Sequence, residues 1–239
     1  MSTNKKVVVI TGASGGIGAG LVDGFLAAGF NVVATARTVA PSSDPGVLVV
    51  PGDITDPATA ERVISEGVAA FGRIDTLVNN AGIFASKPFT AFSTDDLAAG
   101  LAVNLEGFFH LTQRAIAQME KQGSGHVVTI TTSLVDQPTA SVPAALALMT
   151  KGGLSAVTRG LAIEYAARNI RANAVSPGYI KTPIHPVENH ETLAGMLPLG
   201  RMGEISDVVD AVLYLDSATF VTGEILHVDG GQSAGNWSH

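Results

Sequence analysis

Val7-Val8-Val9-Ile10-Thr11-Gly12-Ala13-Ser14-Gly15-Gly16-Ile17-Gly18 runs a continuous apolar stretch into a glycine-rich turn, and Ala19 to Ala28 follows with helical periodicity. An apolar run without alternation reads as a strand buried on both faces. Glycines at a strand-to-helix turn let the backbone approach a pyrophosphate, and the free N–H groups at the helix start stabilise its charge. Gly12, Ser14, Gly16, Ile17 and Gly18 are therefore candidate phosphate contacts. Their spacing is GxxxGxG rather than the commoner GxGxxG, so taken alone the stretch also reads as a tight turn without a ligand.

Outward from this turn the pattern repeats. Val- and Ile-rich runs at Asn31-Ala34, Val47-Val50, Thr76-Asn79, His126-Thr131, Ile170-Val175 and Ile225-Val228 read as further buried strands. Helical periodicity marks Pro57-Phe71, Thr94-Met119, Pro143-Arg168 and Ser206-Leu215, with Ser93 or Thr94 as the cap before Asp95 and Asp96. Alternating strands and helices predict an α/β fold: a doubly wound parallel sheet, Rossmann-like, in three layers. No repeat or linker divides the 239 residues, so one domain is expected over 1–239. Thr38 to Gly46 holds two prolines and is too short for a helical crossover, which predicts a helix-free loop.

The second strand ends Ala34-Thr35-Ala36-Arg37. An acidic residue there would hold a ribose 2'-hydroxyl, whereas an arginine suits a 2'-phosphate. Arg37 beside Ala36 thus favours NADP, with NAD as the alternative cofactor. Composition narrows the rest. The absence of cysteine excludes disulfides, thiolate metal sites and cysteine nucleophiles. No apolar stretch approaches the ~20 residues of a membrane helix, and the N-terminus lacks a signal pattern, so a cytoplasmic protein with no membrane association is expected. Fourteen Lys+Arg against 21 Asp+Glu give a net charge of -7, which would repel nucleic acid.

These motifs resemble, in order and over the full length, those of the classical short-chain dehydrogenases/reductases. TGASGGIG at 11–18 is similar to that family's cofactor turn. The resemblance implies that Asp53 and Ile54 in GDITD meet the adenine, and that Asn79, Ala81 and Gly82 of NNAG lie along the cofactor. It implies a catalytic-helix asparagine in Asn104 of VNLEG, and a nicotinamide-carboxamide site in Pro177, Gly178, Ile180 and Thr182. VTGEILHVDGG at 221–231 is similar to the family's closing strand. The implied activity is hydride transfer between nicotinamide and a small-molecule carbonyl or alcohol, by a homotetramer joined through the helices at 97–119 and 143–168.

In that family a tyrosine four residues before a lysine supplies the proton. Lys151 is present, and Ala147 stands where the tyrosine belongs. The chain has only Tyr165, Tyr179 and Tyr214. Tyr165 lies fourteen residues beyond Lys151, ~21 Å along a helix. Tyr179 is closer to the expected nicotinamide, but its family counterpart is not an acid. The family's substrate-polarising serine corresponds to Thr132 or Ser133, with Ser133 slightly favoured. The candidate catalytic set is Asn104, Ser133 and Lys151, the last also serving the cofactor.

Two functions follow: an NADP-dependent oxidoreductase with altered proton delivery, or a non-catalytic NADP(H)-binding sensor or partner subunit. Residues 180–202, broken by prolines, read as a substrate lid in which His185 and His190 can touch substrate. His110 reads as a helix-face histidine and His126 as a surface one. No third ligand at suitable spacing completes a zinc site, so no metal is expected.

Overall fold

The computed structural model describes residues 5–235. Seven strands, all parallel, form one sheet: β1 Val7–Thr11, β2 Asn31–Thr35, β3 Val47–Val49, β4 Thr76–Asn79, β5 Gly125–Ile130, β6 Ile170–Pro177 and β7 Ile225–Val228, in the order β3-β2-β1-β4-β5-β6-β7. Adjacent side chains on β1 divide between the two faces. Val8 and Ile10 pack beneath α1 (Gly16–Ala27) and α7 (Ile205–Ser217) with Leu21, Phe25, Val208 and Val212. Val7 and Val9 pack beneath α2 (Pro57–Phe71), α4 (Gly107–Gln122) and α5 (Ala145–Tyr165) with Val63, Leu111 and Ala115. Both faces are thus covered, which is why the strands carry no polar alternation. The loop between β2 and β3 is free of helix, as its length requires.

Helix α1 begins at Gly16, three residues before the expected Ala19, because the glycines themselves form its first turn. The expected single helix over 94–119 is divided. It comprises α3 (Thr94–Leu101), a wide π-turn over Ala102–Glu106, and α4. Ser93 rather than Thr94 caps α3, accepting from Asp96 N at 3.1 Å while Asp96 Oδ2 accepts from Ser93 N at 2.7 Å. In the wide turn Asn104 holds the backbone of Ile83 on both sides, accepting from its N–H at 2.8 Å and donating to its C=O at 3.1 Å. Such turns are common where a helix presents a side chain to a functional site. The segment after β6 carries a short helix, α6 (His190–Ala194), within the expected lid.

His126 corrects a sequence expectation. It is not on the surface but buried at the start of β5, an interior strand, where Asn173 of β6 and Asp216 of α7 pack against it. Asn173 Nδ2 donates to His126 Nε2 at 3.0 Å, which leaves the ring proton on Nδ1, 3.8 Å from Asp216 Oδ1. Burial pushes the His126 pKa down to about 4. Burial opposes ionisation of Asp216, yet the His126 ring, the Thr76 hydroxyl and the Lys6 ammonium together hold its carboxyl below the usual range.

The folded protein therefore binds the His126 proton less readily than the unfolded chain. Stability from this group is full above about pH 6.5 and is lost as pH falls toward 4, by about 3 kcal/mol. Denaturant unfolding over that window should show this slope, and His126→Gln should flatten it.

Candidate active site

The carboxyl ends of β1, β2 and β4 open onto a cleft of about 490 Å³ lined by the turn residues Gly12, Ser14, Gly16 and Ile17. Gly12 takes a left-handed conformation with φ of 66°, which a side chain would strain. Gly18 lies behind the turn. A Cβ there would fall 2.1 Å from Gly12 O, so this glycine sets how closely helix and strand approach. No side chain caps α1 at Gly15, and the amides of its first turn are left for a ligand.

Asn80 braces the turn from β4, donating from Nδ2 to Thr11 O at 2.9 Å, and its own amide donates to Thr11 Oγ1 at 3.0 Å. Its neighbour Asn79 points the other way: its Nδ2 donates to Thr112 Oγ1 of α4 at 2.9 Å, and it does not line the cleft. Of the NNAG motif, Asn80, Ala81 and Gly82 form the wall.

Across the cleft stand Ala36, Arg37, Asp53 and Ile54. Arg37 is exposed and makes no hydrogen bond or ion pair among the described residues, so its guanidinium is available to an anion. Asp53 Oδ1 accepts from Thr55 N at 3.0 Å and Thr55 Oγ1 at 2.9 Å. Those bonds, with help from Arg37, hold its carboxyl below the ordinary value. Ile54 packs against Gly107 at the base of α4, where a Cβ would meet its Cδ1 at 2.5 Å. A glycine turn, open helix amides and an unpaired cation at opposite ends of one cleft fit a phosphorylated dinucleotide.

A second cavity of about 430 Å³ adjoins the first. Ile17, Asn80, Thr182 and Ile184 line both. Lys151, on α5, reaches its floor and donates from Nζ to Thr131 O at 3.1 Å. Burial pushes the Lys151 ammonium down to about 8. Both Lys151 and Asn104 converge on Gly82, whose Cβ position lies 3.9 Å from Lys151 Cε and 3.2 Å from Asn104 Oδ1. Asn104 completes its bonds by donating to Thr150 Oγ1 of α5 at 3.0 Å, and so ties the wide turn to the helix that carries Lys151. Pro177, Gly178 and Ile180 close the cavity from the end of β6.

The hydroxyl pair separates. Ser133, which the sequence reading favours, is fully buried and donates to Gln232 Oε1 at 2.9 Å. Thr132 keeps surface in the cavity, and its Oγ1 accepts only from Leu134 N at 3.4 Å, leaving its proton unspent. Ala147 does not line the cavity. Only 3% exposed, it packs with Leu134 and Ala144 beneath Phe84, Val142 and Leu148, so apolar side chains surround the place where the family has a tyrosine. Tyr179 does line the cavity, with a buried hydroxyl that has no hydrogen-bond partner and a ring edge-on to His185 at 5.9 Å. Burial raises the Tyr179 pKa, which keeps it neutral, and lowers that of His185. Among the described residues no three His, Asp or Glu side chains gather as metal ligands, and no helix is long and apolar enough to cross a membrane.

Comparison with known proteins agrees with this geometry. The enoyl-(acyl carrier protein) reductase family model matches residues 12–233. The 3-oxoacyl-[acyl-carrier-protein] reductase FabG of Thermotoga maritima is 35% identical, with 97% of this chain and 99% of that protein aligned. The cis-4-hydroxycyclohexanecarboxylate dehydrogenase of Sinomonas cyclohexanicum is also 35% identical, over 96% and 97% of the two chains. Among solved structures, ElxO with NADP bound superposes with a TM-score of 0.90 at 29% identity, covering 97% of this chain and all of that one. The 3-ketoacyl-(acyl-carrier-protein) reductase of Brucella melitensis complexed with NADH gives 0.89 at 29% identity, with the same coverage. Motifs in register along the whole chain, the seven-stranded parallel sheet and these relatives agree: the chain belongs to the classical short-chain dehydrogenase/reductase family of oxidoreductases.

Proposed function

We propose that the protein is an NADP(H)-dependent oxidoreductase that interconverts a small ketone and its secondary alcohol, with Lys151 taking over proton delivery. The observation that carries this reading is the placement of Lys151. Its amine lies in the cavity adjoining the dinucleotide cleft, bonded to one backbone oxygen, with Ala147 rather than a tyrosine one turn before it on α5. Gly12, Ser14, Gly16 and Ile17 would hold the pyrophosphate, Arg37 the 2'-phosphate, and Asp53 and Ile54 the adenine side. When bound, NADPH supplies a hydride to the carbonyl carbon.

The protein's own residues handle the oxygen. Thr132 donates its free O–H to the carbonyl oxygen and polarises it. As the C–H bond forms and the carbonyl π bond breaks, the oxygen takes a proton from Lys151 Nζ. The amine is left neutral and is reprotonated from water in the cavity. Asn104 acts through Thr150 and the Ile83 backbone to hold α5 in place. Ser133, bound to Gln232, fixes the turn that presents Thr132.

A homotetramer in the cytoplasm is part of the same reading. Its support is a set of exposed apolar side chains, Leu97, Phe109, Met149, Val157 and Ile163, on the helices expected to join subunits. The net charge of -7 counts against nucleic acid as a partner.

The second reading, a non-catalytic NADP(H) sensor or partner subunit, has one observation in its favour: the apolar packing around Ala147 leaves no acid facing Lys151 from the preceding turn. Cofactor binding tests what the two readings share. Arg37→Ala is expected to weaken NADPH binding about 10- to 100-fold, since hydrogen bonds to charged groups contribute ~1.5–3 kcal/mol, and to leave NADH unchanged. Equal loss for both cofactors, measured by fluorescence titration, would remove Arg37 from the 2'-phosphate site.

A further inference from the structure

We infer that the substrate is an uncharged, largely apolar ketone or alcohol that enters free in solution, selected by the apolar walls of the cavity beside Lys151. The inference rests on the oxidoreductase reading and specifies what that site accepts. The walls are Phe84, Ile130, Leu134, Val142, Ile184 and Leu193. Among the described residues no Asp, Glu or Arg lines the cavity and Lys151 is its single lysine, while burial lowers the pKa of His185, the lining histidine, and so favours its neutral form. A substrate carboxylate or phosphate would therefore lose its water without an arginine to pair with, or would draw Lys151 away from the reacting oxygen.

Polyols fare no better. With Thr132 and Lys151 turned to the reacting oxygen, several other polar groups of the lining are already engaged, Ser133 with Gln232, Ser86 with Pro143 O and Asn80 with Thr11 O, so further substrate hydroxyls compete for the Tyr179 hydroxyl and the few side chains near 182–192. Each hydroxyl buried without a partner lowers transition-state binding about 5- to 100-fold.

The mouth argues against a substrate delivered on an acidic carrier protein, as the names of several relatives would suggest. Basic side chains next in sequence to lining residues are already engaged, Lys87 with Asp96 at 2.7 Å and Lys181 with Glu204. Glu188 and Glu191, beside the lining residues Asn189 and Thr192, have no basic partner among the described residues. An acidic carrier would thus find no free lysine and two unpaired carboxylates among these neighbours of the lining.

The test compares cyclohexanone and acetophenone with acetoacetate, dihydroxyacetone and an acetoacetyl thioester on an acyl carrier protein, at saturating NADPH. Turnover is followed by NADPH fluorescence, and ligand-induced thermal shift of the NADP-bound protein gives a second ranking that needs no turnover. The two apolar ketones are expected to lead in kcat/KM by at least about 10-fold and to give the larger shifts. Phe84→Ala, a residue of this cavity alone, should raise KM for acetophenone several-fold and leave NADPH affinity unchanged. Equal or better use of acetoacetate, dihydroxyacetone or the carrier thioester overturns the substrate class while the reductase reading stands. Failure to bind NADPH at all overturns the reductase reading itself.

Discussion

Ala147→Tyr is expected to raise the rate of ketone reduction by about 10²- to 10⁴-fold, the usual worth of a positioned general acid. The new phenol would stand one helical turn before Lys151 on α5, so the two side chains share a face. The ammonium would then favour the phenolate and bring its pKa down toward neutrality. The gain has a cost, because Ala147 is packed against Leu134 and Ala144, and a tyrosine must push into Phe84 and Val142. Overpacking of this kind destabilises by about 1–3 kcal/mol, which a thermal melt would register beside the kinetics. If turnover appears in Ala147→Tyr and is absent in the parent chain, the non-catalytic reading is right. If neither turns over while both bind NADPH, proton supply is not what limits this site.

Lys151→Met is expected to lower reduction by a similar factor, about 10²- to 10⁴-fold, through loss of the proton donor. A merely structural lysine would not also set a pH profile. The Lys151 ammonium is the reactive form in reduction, and its pKa lies near 8 because the site desolvates it. Reduction should therefore be level below about pH 8 and fall tenfold per unit above it. In Lys151→Met the residual rate should lose that break. The same burial makes the folded chain bind the proton less readily than the unfolded one, whose lysines titrate near 10.5, so stability from this group rises between about pH 8 and 10.5. A loss of activity above pH 8 therefore cannot be charged to unfolding at Lys151.

What the sequence made legible was chiefly local. The turn at 11–18, Arg37 and Lys151 each depend on neighbours within a few residues, and each lines one of the two adjoining cavities. The rest needed the third dimension. Whether Asn79 or Asn80 faces the cleft is decided by strand alternation at the very end of β4, and the register sends Asn79 to Thr112 on α4. Ser133 and Thr132 are indistinguishable as hydroxyls until the short turn at Ser133–Val135 swings Ser133 toward Gln232, ninety-nine residues away. The periodicity runs one helix through 94–119 and does not mark the wide turn at Ala102–Glu106. Asn104, the residue that occupies it, was nonetheless readable from its motif. His126 stands at the start of an interior strand, where only the packing of α7, with Asp216 beside the ring, buries it.

Isotope labelling follows hydride transfer at this site directly. Wild-type protein is incubated with cyclohexanone and NADPH carrying deuterium at the transferable C4 position, and the product alcohol is analysed by mass spectrometry. One deuterium is expected on the carbinol carbon, formed only when protein is present, at a rate that falls in Lys151→Met and rises in Ala147→Tyr. Bound NADPH with no deuterated alcohol, in the wild type and in Lys151→Met alike and across the ketone series, would contradict hydride transfer at this site.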